Sequence, residues 1–259
     1  FGLRQSLDSV GAFAGPLLAT GLMLLWANDF RAVFWAAAIP GVLAVLVLVL
    51  GVREPATPAP VTPRGNPLRR DQLRLLERGY WRVVTLGAVF TLARFSEAFL
   101  VLRAADGGMS AALVPLVMVA MNVVYAATAY PFGRLADRLP HHHLLAAGLL
   151  VLVAADLTLA ASAHPVVVLL GVALWGVHMG LTQGLLATMV AARAPAELRG
   201  TAFGLFSLVS GVAMLLASVI AGLLWTTLGP AATFIAGALF ACAALLALGK
   251  VRVDGDARH

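Results

Sequence analysis

An all-α, polytopic membrane protein is the fold class this sequence predicts, and three observations carry the prediction. Of its 259 residues, 61% are hydrophobic and only 12% charged, with a mean hydropathy of +0.94; ordinary soluble domains carry about twice that share of charge. The apolar residues gather into eight stretches, each near the roughly 20 helical residues that a hydrocarbon core of about 30 Å requires. The arginines crowd into alternate connections between those stretches, the asymmetry by which membrane proteins orient themselves.

The predicted spans run from Gly2 to Ala27, Ala32 to Val52, Trp81 to Leu102, Ala111 to Pro131, Leu144 to Ala163, Val166 to Ala192, Thr201 to Trp225 and Ala231 to Lys250. Ahead of the first, Phe1-Gly2-Leu3-Arg4-Gln5 offers neither an initiator methionine nor the basic n-region of a signal peptide, so the chain reads as starting inside a longer one. Span one carries Arg4 and Asp8 four residues apart, then Gly11, Gly15 and Pro16. Small residues there permit close helix approach, and proline kinks a helix.

Between spans two and three, Pro55, Pro58, Pro60, Pro63 and Pro67 keep the chain extended before a charged run, Arg69 to Arg78, that suits a short amphipathic surface helix. This is read as a linker, residues 53–80, between a first part, 1–52, and a second, 81–250, with a tail at 251–259. Arginines fill this linker, the turn between spans four and five (Arg134, Arg138), the turn between six and seven (Arg193, Arg199) and the tail, whereas the opposite loops hold only Arg31 and Arg103. The arginine-rich side, with both ends of the chain, is expected to face the cytoplasm, the bilayer being a cytoplasmic or inner membrane. The net charge of +6 therefore points to anionic lipid headgroups and not to nucleic acid. Trp26, Trp35, Trp225, Tyr80, Trp81 and Tyr130 fall near expected span ends, where amphipathic rings settle.

Ionisable and polar groups inside the spans are the candidate functional residues, because each is costly in lipid. Span three has Arg94 and Glu97 three residues apart; they form either a self-neutralising structural pair or a site in which Glu97 carries a proton beside Arg94. Span four has Asn122 and Tyr125, span six Trp175, His178 and Gln183, and span five Asp156, which reads as structural. Cys242, the only cysteine, lies in an apolar run, so a disulfide framework and a thiolate metal site are excluded. His141, His142 and His143 form a tract that can sense pH or bind metal, but adjacent residues do not converge on one ion, which favours a weakly basic turn. No paired-aspartate, G-x-S-x-G, H-E-x-x-H or Walker A pattern occurs, so no enzyme, cofactor or ATP-driven pump is expected.

The turn Gly133-Arg134-Leu135-Ala136-Asp137-Arg138 resembles, in its G-x-L-x-D-R spacing, the loop signature of the major facilitator superfamily of secondary transporters. A weak internal repeat agrees: Phe1-Gly2-Leu3 recurs as Phe203-Gly204-Leu205, and Val52-Arg53 as Val251-Arg252, about 200 residues on. The resemblance implies that the eight spans are helices five to twelve of twelve, the first two closing one six-helix half and the last six forming the other. Gly11, Gly15 and Pro16 are similar to the fifth-helix signature of proton-coupled exporters, though Ala19 stands where that signature has a later glycine. It further implies a small-molecule substrate and protons as partners, a monomer when full length, and a cavity lined by spans three and six. Gly133, Asp137 and Arg138 would form a cytoplasmic gate closing on the start of span one, with Arg4 and Asp8 contributing there; Pro140 and the histidine tract depart from the family's glycine and basic cluster. Proton-coupled efflux is the expected activity, with uptake, or a non-transporting sensor on the same helices, as rivals.

Overall fold

The computed structural model describes residues 2–27, 29–51, 73, 75–182 and 184–256, with the side chains of 2–10, 12, 13 and 250–256 outside the description. Every regular element among them is helical: α1 (Gly2–Leu25), α2 (Phe30–Gly51), α3 (Arg78–Leu92), α4 (Ala98–Asp106), α5 (Leu116–Ala136), α6 (His141–Ala161), α7 (Pro165–Thr182), α8 (Leu185–Arg193), α9 (Arg199–Leu228) and α10 (Pro230–Asp256). Local chemistry sets many of these boundaries. Asp29 Oδ1 accepts from the amides of Arg31 and Ala32 at 2.9 and 3.2 Å and so caps α2. Pro165 and Pro230 each open a helix, where the missing N–H costs nothing. Gly229, at φ +89°, makes the sharp turn between α9 and α10.

Among the described residues six helical stretches are long and apolar enough to cross a bilayer: Phe30–Gly51, Leu116–Ala136, His141–Ala161, Pro165–Arg193, Ala196–Leu228 and Pro230–Gly249. Of α1, the apolar part is Ala14–Leu25. The expected third span is not one helix: it divides into α3 and α4, separated by the non-helical residues Ala93–Glu97. The sixth also divides, into α7 and α8, where Gly184 takes a left-handed φ of +81°. The proline-rich linker lies outside the described residues up to Gln72, and α10 continues as helix through Asp256 into the expected tail.

The core is built around α6, which packs along α7 and α10, while α7 packs on its other side against α5. Leu145, Leu149, Leu152 and Leu159 of α6 meet Val168, Val172 and Trp175 of α7 and Phe234 of α10. In lipid the helices gain little from hiding apolar surface, so close backbone approach and dispersion contacts hold them together. Gly176 and Gly180, one turn apart, supply that approach: a Cβ at Gly176 would stand 2.7 Å from the Met121 carbonyl oxygen, and one at Gly180 would collide with Thr128. Outward positions such as Leu150, Leu157, Leu215 and Leu239 remain exposed for lipid, and no residue of α2 is buried. At the arginine-rich end a smaller cluster joins Leu76, Tyr80, Val83 and Val84 to Val190, Leu198 and Ala202, pinned by the Tyr80 hydroxyl donating to the Ala202 carbonyl at 2.9 Å.

Candidate functional site

The break between α3 and α4 contains no glycine or proline, which is why the sequence reads as one helix across it. Neighbouring contacts hold it open instead. The Thr91 hydroxyl donates back to the Gly87 carbonyl at 2.7 Å, a contact that bends helices. Phe95 then turns inward, only 3% exposed, with its ring centroid 5.4 Å from Phe99, 5.4 Å from Trp175 and 5.6 Å from Phe234. The Ser96 amide leaves the helical ladder and donates to Ser218 Oγ of α9 at 3.3 Å, while Ser96 Oγ accepts from the Ala98 amide to start α4. Non-helical backbone at membrane depth survives only where protein buries it or water reaches it; here α9 and the aromatic cluster do the burying.

This geometry changes the expected Arg94–Glu97 contact. Arg94 lies in the break and Glu97 at the cap of α4, both partly buried, and they form no ion pair within 4.0 Å. The i,i+3 spacing brings side chains together only on a continuous helix. Arg94 remains close enough to act electrostatically on both Glu97 and His178. His178 is fully buried on α7, stacked on Phe90 at 5.6 Å; its Nδ1–H donates to the Gly148 carbonyl of α6 at 2.8 Å, since a carbonyl only accepts. Its Nε2 has no partner among the described residues, nor has Trp175 Nε1. Trp175 is also fully buried, 6.4 Å from His178 between ring centroids. Arg94, Trp175 and His178 thus lie about one region, the break and the face of α7 behind Phe95, with Glu97 at the α4 end of the break.

Asn122 and Tyr125 stand on α5, which crosses α7 at Gly176. Asn122 Nδ2 donates to the Met118 carbonyl of its own helix at 2.8 Å. Gln183 lies outside the described residues, between α7 and α8. A cavity of about 630 Å³ lies between α1, α4 and α5, with Gly15, Pro16 and Ala19 on one wall and Val101, Ala105 and Met118 on the other. Gly11 of the same motif is exposed. Glu97, the cap of α4, precedes Val101 by four residues and Asn122 follows Met118 by four, so each stands about one helical turn from a residue of that cavity's second wall.

The turn on which the expected gate rests is shorter than the sequence suggests. Gly133 and Arg134 lie inside the last turns of α5, which runs to Ala136, so the turn proper begins at Asp137. A basic residue in a last helical turn is favoured by the dipole, and Arg134 also stands 6.0 Å from the Tyr130 ring centroid. Asp137 and Arg138 are exposed. The side chains of Arg4 and Asp8 lie outside the described residues. The histidine tract begins α6 after Pro140, and no group of three potential metal ligands occurs among the described residues.

Two residues carry more than their sequence positions suggested. Arg103, expected as a loop charge, is 6% exposed: Nε–H donates to the Leu159 carbonyl at 2.9 Å and Nη1–H to Asp106 Oδ2 at 2.8 Å. It thereby satisfies an orphan carbonyl in the last turn of α6; its i,i+3 spacing to Asp106 was the available signal. Asp156 is fully buried, with neither carboxylate oxygen partnered among the described residues, in the place where α6 passes Gly237 of α10.

The Major Facilitator Superfamily profile matches residues 88–258. An uncharacterised MFS-type transporter of Methanocaldococcus jannaschii is 29% identical over 248 residues, covering 93% of this chain and 61% of that protein. Uncharacterised proteins of Mycobacterium bovis and Mycobacterium tuberculosis are each 27% identical over 224 residues, 82% of this chain and 53% of theirs. The chain therefore spans little more than half the length of the curated relatives it matches. The helical bundle, the alternating arginines and a family match over most of the chain agree: this chain belongs to the major facilitator superfamily, a family of transporters and not of enzymes.

Proposed function

We propose that the intact protein is a secondary transporter that exports an apolar small molecule against proton entry, with Glu97 as the proton carrier at the α3–α4 break. One observation carries this reading: a charged, non-helical break in a membrane helix stands one turn from an apolar cavity of about 630 Å³. Transporters place substrate and coupling-ion sites at such interrupted helices, where freed polar groups face the cavity. A cavity with Gly15, Pro16, Val101 and Met118 in its walls suits an apolar body, and Glu97 and Asn122, each about one helical turn from a wall residue, suit one polar end. Arg94 keeps the region positive when Glu97 is protonated, which favours proton release once the substrate has moved. The Gly15-Pro16 wall supports export, through its likeness to the exporter signature.

The test is transport by the intact protein in sealed vesicles with an imposed proton gradient and a fluorescent apolar amine as reporter. Glu97→Gln is expected to abolish gradient-driven accumulation while leaving reporter binding within about twofold. Gradient-driven flux equal to the native protein's removes Glu97 from the proposal. Reporter binding with no flux in the native protein favours the sensor reading, and accumulation in the opposite sense favours uptake.

A further inference from the structure

We propose that the groove between α3 and α10 at the arginine-rich end of the bundle is a binding site for an anionic phospholipid, the phosphate held by arginines and an acyl chain laid along the groove. The first turns of α3 place Arg78, Trp81, Arg82 and Thr85 along one exposed face, at the i, i+3, i+4 and i+7 positions that line up on a helix. That face forms one wall of a cleft of about 400 Å³; Leu86 deepens it and Ala247 of α10 closes it from the other side. The charged residues lie toward the helix start and the apolar ones deeper, which is the order of a lipid's own parts.

A third guanidinium stands nearby. Gly79 has no side chain, and Arg193 at the end of α8 lies in the space a Cβ would need, its Nη1 2.6 Å from that position. Arg78, Arg82 and Arg193 thus surround the first turn of α3, and none has a carboxylate partner within 4.0 Å among the described residues. Three like charges gathered about the start of one helix, unpaired among the described residues, repel one another, and an anion among them relieves that repulsion. Guanidinium groups are suited to phosphate because their donors match its oxygens in pairs. Trp81 adds an amphipathic ring at the level where headgroups lie. The chemistry of the cleft selects the occupant: its mouth on the exposed face of α3 carries guanidinium groups, and its deeper wall, Leu86, Val89 and Ala247, is apolar. The opposite wall is part of the packed bundle and α3 is fixed by the Tyr80–Ala202 bond, so the site is preformed.

The experiment reconstitutes the intact protein in phosphatidylcholine vesicles in which a fifth of the lipid is phosphatidylglycerol with brominated chains, and reads quenching of tryptophan fluorescence. Trp81→Phe identifies the part of the quenching that belongs to the cleft. That part is expected to exceed the quenching by brominated phosphatidylcholine at the same fraction. Replacing the arginines by glutamine is expected to lower the preference for the anionic lipid roughly fivefold per charge at low salt, with Arg78→Lys and Arg82→Lys retaining most of it. Equal quenching by the two brominated lipids, or an unchanged preference in Arg78→Gln/Arg82→Gln, overturns the proposal. Loss of the preference on adding millimolar inorganic phosphate at constant ionic strength also overturns it, because the site is then for the free anion.

Discussion

Gly237 has no side chain where α10 passes α6, and the volume a Cβ would fill is already held: Asp156 Oδ2 would stand 2.6 Å from it and Phe95 Cε1 2.7 Å. The contact ties the third, fifth and eighth spans of the sequence together through single atoms. Gly237→Ala is expected to lower stability by about 1–3 kcal/mol, the usual cost of overpacking, read as a lower unfolding temperature in detergent. An unchanged transition would show that Phe95 is free to move aside. None of this was legible beforehand. Asp156 reads as a lone acid on a peripheral helix, and nothing near Gly237 in sequence names its neighbour; the meeting is made by helices about 80 residues apart. Glu97 and Arg94, by contrast, were legible as singular residues from their charge alone, although their separation in space was not.

At the scale of the element, the division between α3 and α4 rests on tertiary contacts. Phe95 seated among Phe99, Trp175 and Phe234 is the main one, and Ser218 accepting from the Ser96 amide the other. Phe95→Ala is expected to cost about 3–5 kcal/mol for a buried aromatic and to let the segment regain helical hydrogen bonds. Amide hydrogen exchange checks this: protection at Arg94, Phe95 and Ser96 should rise in the variant, whereas a rigid break set by local sequence would leave it unchanged. Helix positions were readable because length and hydropathy are local properties: α2, α6 and α9 lie close to their predicted ranges, while α5 stands about five residues later than expected. Interruptions were not, because the residues that hold this one open belong to other helices. The α7–α8 break left a weak trace in Gly184, the only residue type there that takes φ +81° without strain.

For the whole molecule, the arginine distribution predicts that the end bearing Arg78, Arg134, Arg138, Arg193 and Arg199 faces the cytoplasm. Cys242 as the sole cysteine makes this easy to test. After Cys242→Ala, a cysteine at Ser110 should react with an impermeant thiol reagent added outside intact cells, and one at Leu139 should react only after the membrane is opened. Labelling in the reverse order would invert the topology. The class and family were readable from the whole chain because composition and periodicity survive any error in detail; the cavity beside Gly15 and Pro16 was not, since it needs three helices at once. The two bonds that fix α3 and α4 have a mechanical meaning. Tyr80 clasps the Ala202 carbonyl near one membrane surface, and Arg103 clasps the Leu159 carbonyl near the other. The segment is a strut clamped at both ends with a non-helical joint in the middle. Every joint residue that returns to helix turns one end by about 100° against the other and changes its length. Straightening the joint therefore strains both clasps, so a change at Phe95 loads the bonds at the two ends of the segment.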